Sequence, residues 1–136
     1  MYLSHARYKK LVAQQNAARA LMYVGMVVFG FMAVFGFKLM QRDSAEAYQK
    51  YVAQIAEAAS ANDAESVEDA YQDAVALNAV SADAYIEKAK YLYNAHKYQE
   101  AEGFLADAAI PYVKDSVGRS NLYLLLGNCL MAEEQY

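Results

Sequence analysis

Hydrophobic and polar positions follow two regimes along this chain. From residue 20 to residue 37 the sequence reads "ALMYVGMVVFGFMAVFGF", with no charged residue over 18 positions. From residue 44 onward, apolar residues instead recur at steps of three and four, the spacing of amphipathic helices. In "SAEAYQKYVAQIAEAASAND", Tyr48, Tyr51, Val52, Ile55, Ala58 and Ala59 fall on one face. "AESVEDAYQDAVAL" places Val67, Ala70, Tyr71, Ala74 and Leu77 together. Further helices are predicted over 82–95, 98–110 and 120–133. Asn62-Asp63 prefers turns and caps and is expected to end one helix and open the next. Pro111 and Gly118 in "AIPYVKDSVGR" allow a longer connector before the last helix. No proline precedes Pro111, so the helix from residue 44 could continue that of the apolar segment without a break.

The uncharged 18 residues cover about 27 Å as a helix, and Leu39 and Met40 extend the run past Lys38. That length suits a bilayer, with Lys38 snorkelling to the headgroups. A soluble helix of this size would carry a polar stripe. A cleaved signal peptide would have a shorter apolar core and a small-x-small site, but small residues return only at Ser44 to Ala47. The segment 20–40 therefore reads as an uncleaved single-pass anchor contacting the lipid bilayer, preceded by a short basic arm, 1–19. Gly30, Ala33 and Gly36 offer a thin face, although tolerated membrane glycines explain them as well.

Charge adds an orientation. Residues 1–42 contain Arg7, Lys9, Lys10, Arg19, Lys38 and Arg42 and no acid. The remaining residues contain six Lys/Arg and all 16 acids, about ten charges negative. Basic residues flank the anchor more heavily on its N-terminal side, which favours a cytoplasmic N-terminus and an extracytoplasmic remainder. An acidic remainder without a basic stripe argues against nucleic-acid partners.

Candidate chemistry is sparse. His5 and His96 lie far apart, and Cys129 sits in the apolar run "LLLGNCLM", where a buried core thiol is the expectation. No metal cluster, phosphate loop or triad spacing is present in the sequence, so neither an enzyme nor a cofactor is expected.

Residues 44–136 also repeat. With Tyr85 as the first large position, Ala89, Leu92, Tyr98, Ala101, Leu105 and Ala108 take successive core positions. Thirty-four residues earlier stand Tyr51, Ile55, Ala58, Ala64, Val67, Tyr71 and Ala74. Thirty-eight residues later stand Tyr123, Gly127 and Leu130, with Leu126 beside Gly127, and Tyr136 where Tyr98 was. This pattern resembles the tetratricopeptide repeat family, whose period is about 34 residues. Lys88 departs from it, standing where Leu is usual, and Ala79 stands where proline often ends a repeat.

The resemblance implies an all-α protein, a transmembrane helix followed by antiparallel helical hairpins stacked as an α-solenoid. The units would be about 48–81, 82–115 and a truncated 120–136, the last hairpin being incomplete. Small residues Ala89, Ala101 and Gly127 would let helices approach closely. Leu122, Leu125 and Leu126 would be partly uncovered in a chain stopping at Tyr136, which is expected to continue into further repeat helices or to meet a partner at that edge. The resemblance also implies a concave groove holding another protein or peptide. Its candidate lining is Asp83, Ile86, Lys90, Tyr93, Asn94, Asn121, Leu124, Asn128 and Met131. The basic clamp of chaperone-binding members is not matched: only Asn128 fits it, and Ile86 and Leu124 occupy positions that would want polar groups. The layout resembles extracytoplasmic repeat proteins with an N-terminal anchor, and the expected role is a membrane-tethered scaffold for assembly, secretion or signalling. A cytosol-facing receptor and a structural subunit of a large membrane complex are the alternatives.

Overall fold

The computed structural model describes residues 4–135, and every regular element among them is helical. The elements are α1 (His5–Ser60), α2 (Ala64–Leu77), α3 (Asp83–Asn94), α4 (Tyr98–Gly103), which runs on as a π-helical segment (Phe104–Ala109), and α5 (Ser116–Glu134). The chain divides into two compact units, Met1–Arg42 and Asp43–Tyr136. The proposed equivalence of Tyr136 with Tyr98 lies outside the described residues.

In the first unit α1 is exposed all round. Leu21, Tyr23, Val27, Phe29, Phe31 and Phe35 all face outward, and Phe31 and Phe35 stack one turn apart at 6.5 Å. No polar stripe interrupts them. The helix is long and apolar enough to cross a membrane.

The second unit has a core. Ile55, Val67, Tyr71, Ala74, Tyr85, Ala89, Leu92, Ala101, Leu105, Leu122 and Cys129 are buried together. Tyr71, Tyr85 and Phe104 meet mutually, with ring centroids 5.4–6.2 Å apart. Lys88 completes this group. Its Nζ lies 4.2 Å from the Tyr71 ring centre and 4.7 Å from that of Phe104, and pairs with Glu68 Oε2 at 2.6 Å. A long apolar stem ending in a cation thus serves where leucine was the expectation, because the aromatic faces and one carboxylate accommodate the charge. At Ala79 the backbone carbonyl accepts from the Tyr85 hydroxyl at 2.8 Å, a bond that proline there could accept equally.

Two turns of this unit are built alike. Asn62 N–H donates to Ala59 O and Asp63 N–H to Ala58 O, at 3.1 and 3.0 Å. Thirty-four residues on, His96 N–H donates to Tyr93 O and Lys97 N–H to Leu92 O, at 3.0 and 2.9 Å. Asn62 and His96 both adopt left-handed backbone, with φ of 54° and 59°. Each turn is a Schellman motif that satisfies the last carbonyls of one helix and starts the next. Asp63 then caps α2 by accepting from Ser66 N–H and Ser66 Oγ. α3 has no capping side chain of its own, and the Tyr48 hydroxyl of α1 accepts from Ala84 N–H instead, at 3.1 Å.

Four expectations change. Leu77 is exposed rather than core. In the π-helical segment Ile110 N–H reaches back to Leu105 O. The wider turn advances the phase by one residue, so Ala109 is buried where Ala108 was expected. Gly118 is not part of a loose connector. It lies in the first turn of α5, where Asp115 caps its N–H at 2.6 Å, and an added Cβ would stand 2.5 Å from Ala82 Cβ. Finally, α5 is one residue out of the expected register. Leu122 and Cys129 are fully buried, whereas Tyr123 is 52% and Leu130 44% exposed. The step relating α3 to α5 is therefore 37 residues, Tyr85 to Leu122 and Leu92 to Cys129. Gly127 has nothing near its would-be Cβ and makes no close helix approach.

Candidate interaction surface

The repeated turns place the ends of α1 and α3 side by side. Small residues on α1, Ala56, Ala59 and Ser60, face Glu87, Lys90, Tyr91 and Asn94 of α3 across a concavity of about 340 Å³, closed by Asn62 and Ala95. Of the nine groove candidates, Lys90 and Asn94 line it. Lys90 Nζ pairs with Glu87 at 2.9 Å, so its cation is shared rather than free. Asp83, one turn before the start of this surface, accepts from the Gln49 amide at 3.4 Å.

The other candidates are placed differently. Ile86 is half-buried against the core. Tyr93 packs edge-on against Tyr98 at 5.3 Å, and so belongs to the α3–α4 turn rather than to a groove. On α5, Asn121, Leu124 and Met131 are exposed and Asn128 is half-buried. Leu122, expected to be partly uncovered, is fully buried; Leu125 and Leu126 are half-buried, as expected. The open apolar surface of α5 is instead formed by Tyr123, Leu124, Leu130 and Met131.

A second concavity, of about 420 Å³, was not foreseen. It lies between the end of α1 and α2 and is lined by Glu57, Asp63, Asp69 and Asp73 around Ala58, Ala61 and Ala70. The hydrogen bonds from the Ser66 side chain and backbone hold the Asp63 carboxyl below its ordinary value. This acidity was visible in the sequence as separate solvated faces; the hairpin turn at Asn62 is what brings Glu57 to face Asp69 and Asp73.

Reactive groups are held in structural roles. Burial pushes the Cys129 thiol up, with a smaller contribution from Glu102, so the core-thiol expectation holds. Burial also raises the Tyr71 hydroxyl, ahead of the charges of Tyr85 and Glu68. For Glu68, burial works upward, but hydrogen bonds from Lys88 and Gln72 and the Lys88 charge outweigh it and leave the carboxyl low. His96 Nδ1 lies 2.7 Å from the Tyr98 hydroxyl and stabilises its own turn. Among the described residues no group of three His, Cys, Asp or Glu is placed to hold a metal ion, and no buried side-chain polar atom lacks a partner. Comparison with protein-family models, with curated proteins and with solved structures found no match.

Proposed function

We propose that this chain is a membrane-tethered scaffold of the tetratricopeptide type. In this reading α1 crosses the bilayer through residues 20–40 with its N-terminus in the cytoplasm. The hairpins lie outside and hold another protein along the concavity between the end of α1 and α3. The observation that carries the proposal is the recurrence, at 34 residues, of the same helix-ending turn at 58–63 and 92–97. Stacked helical hairpins of one period favour an extended concave binding surface. The all-round exposure of apolar residues from Leu21 to Met40 supports the anchor, because water would not tolerate so long an apolar surface.

Photo-crosslinking in intact membranes tests the scaffold role. A benzophenone side chain at Lys90 or Asn94 is expected to give one discrete crosslinked species. The same probe at Gln72, on the outer side of α2, is expected to give none. Equal or absent crosslinking at all three positions would sink the scaffold reading. Protease treatment of intact cells separates the topologies: digestion of the helical region with a protected N-terminus supports the stated orientation, and the converse supports a cytosol-facing receptor. The exposed Tyr123, Leu124, Leu130 and Met131 favour a second reading, a structural subunit whose α5 is covered inside a larger assembly. A stable stoichiometric complex after mild detergent extraction would support it.

A further inference from the structure

At the N-terminal edge of the apolar stretch, Arg19, Met22, Tyr23 and Met26 lie at i, i+3, i+4 and i+7 of α1 and enclose a concave surface of about 310 Å³. We propose that this surface binds one anionic phospholipid, its phosphodiester on Arg19 and the first part of an acyl chain along Met22 and Met26. The proposal rests on the reading of residues 20–40 as a membrane span.

Depth selects the occupant. Arg19 and Lys38 bracket 18 uncharged residues, so their Cα atoms stand about 28 Å apart along the helix, close to the thickness of the hydrocarbon core. Arg19 therefore sits at the level where lipid phosphates are the abundant anions. Its guanidinium offers paired N–H donors that fit two phosphate oxygens, which a point-charge ammonium does not. Tyr23 is one turn deeper, an aromatic of the kind found at membrane interfaces, with an apolar ring and a polar tip. Met22 and Met26, both exposed, are about 4 and 10 Å deeper along the axis and present flexible thioether chains to the hydrocarbon.

Charge selects the headgroup. The chain has no Asp or Glu before Asp43, so no carboxylate of its own lies within the N-terminal part of α1 to compete for Arg19. Arg7, Lys9 and Lys10 add positive potential on the same side of the apolar stretch. A zwitterionic lipid would bring an ammonium that cancels its phosphate charge in that field, whereas an anionic lipid such as phosphatidylglycerol keeps a net negative charge.

Native mass spectrometry of the full chain in detergent, with equal amounts of phosphatidylglycerol and phosphatidylcholine added, tests this. Wild type is expected to retain one phosphatidylglycerol in preference to phosphatidylcholine. Arg19→Gln is expected to lower that retention about tenfold, the loss of a charge-assisted hydrogen bond pair. Arg19→Lys is expected to be intermediate, and Lys38→Gln, at the opposite edge, to match wild type. Unchanged retention in Arg19→Gln, or equal retention of the two lipids by wild type, would overturn the site. Carbonate extraction of the same variants separates this from the membrane reading. Wild type and Arg19→Gln both remaining in the membrane pellet while only lipid retention changes supports the site. Release of wild type by carbonate removes the membrane span and the site with it.

Discussion

α3 and α5 occupy equivalent places 37 residues apart, and they differ on one side only. Their inward positions correspond: Tyr85 and Leu122 are buried, as are Leu92 and Cys129. Lys88 and Leu125, half-buried in both, show that one site accepts a paired cation or a leucine. Their outward positions do not correspond. α3 carries Glu87, Lys90 and Asn94 where α5 carries Leu124, Gly127 and Met131. Equivalent backbone geometry thus leaves one helix with a solvated, ion-paired outer face and the other with an open apolar one. The inner face is set by the packing that every unit needs. The outer face is not held by that packing and is free to vary.

The strongest way to break this comparison is the α5 register itself. Leu122→Ala should cost about 2–5 kcal/mol in chemical unfolding, because it opens a cavity beside a fully buried position, whereas Tyr123→Ala should cost under about 0.5 kcal/mol. The reverse order would restore the 38-residue step and undo the correspondence. Glycines provide the next test. Gly118→Ala should destabilise by about 1–3 kcal/mol, since the new methyl meets Ala82, while Gly127→Ala should stabilise by about 0.5–1 kcal/mol through helix propensity. Opposite signs in thermal denaturation are the expected result.

Lys88 sharpens the comparison on the inward side. Lys88→Met should cost about 1–2 kcal/mol at neutral pH, by removing the cation from the Tyr71 and Phe104 faces and leaving Glu68 with only the Gln72 amide as partner. Glu68 has a lowered carboxyl in the folded state, so its contribution is present above the ordinary value of 4.5 and is lost as pH falls through the lower folded value. The difference between wild type and Lys88→Met should therefore narrow below about pH 4.5. Lys90→Met, whose partner Glu87 is on the same helix, should change stability by under about 0.5 kcal/mol at any pH. The smallest effect is at the two recurring turns. Asn62→Gly and His96→Gly should each shift stability by about 0.5 kcal/mol or less, since glycine relieves the left-handed backbone but loosens the unfolded chain. The His96 variant should gain less because it also loses the Tyr98 contact, and circular dichroism melts would resolve the pair.

Much of the architecture was legible beforehand. Ile55, Val67, Tyr71, Leu92, Ala101 and Leu105 were expected on core faces and are buried. They could be assigned because each lies in a segment with a clear polar side, so only one rotation of the helix hides the apolar residues. Of the candidate groove, Lys90 and Asn94 do line a concavity, and Tyr93 does not. Its small aliphatic wall, Ala56 and Ala59, could not be picked out of an alanine-rich stretch in which most positions look alike.

The sequence by itself determined the helical content, the uncharged stretch around which charge divides, and the 34-residue spacing of the first two hairpins. Composition, formal charge and periodicity are local properties, and each acts whether or not the chain has folded. Tertiary structure alone decided the phase of α5. "LYLLLGNCLM" is apolar on nearly every side, so its own periodicity favours no rotation. The rotation was settled by neighbours: by α3 and α4 packing against α5, whose Leu122 and Cys129 are buried, and by the close approach of Gly118 to Ala82 in its first turn. The π-helical segment was decided in the same way, one residue being absorbed so that Leu105 and Ala109 could both reach a core that no local pattern describes.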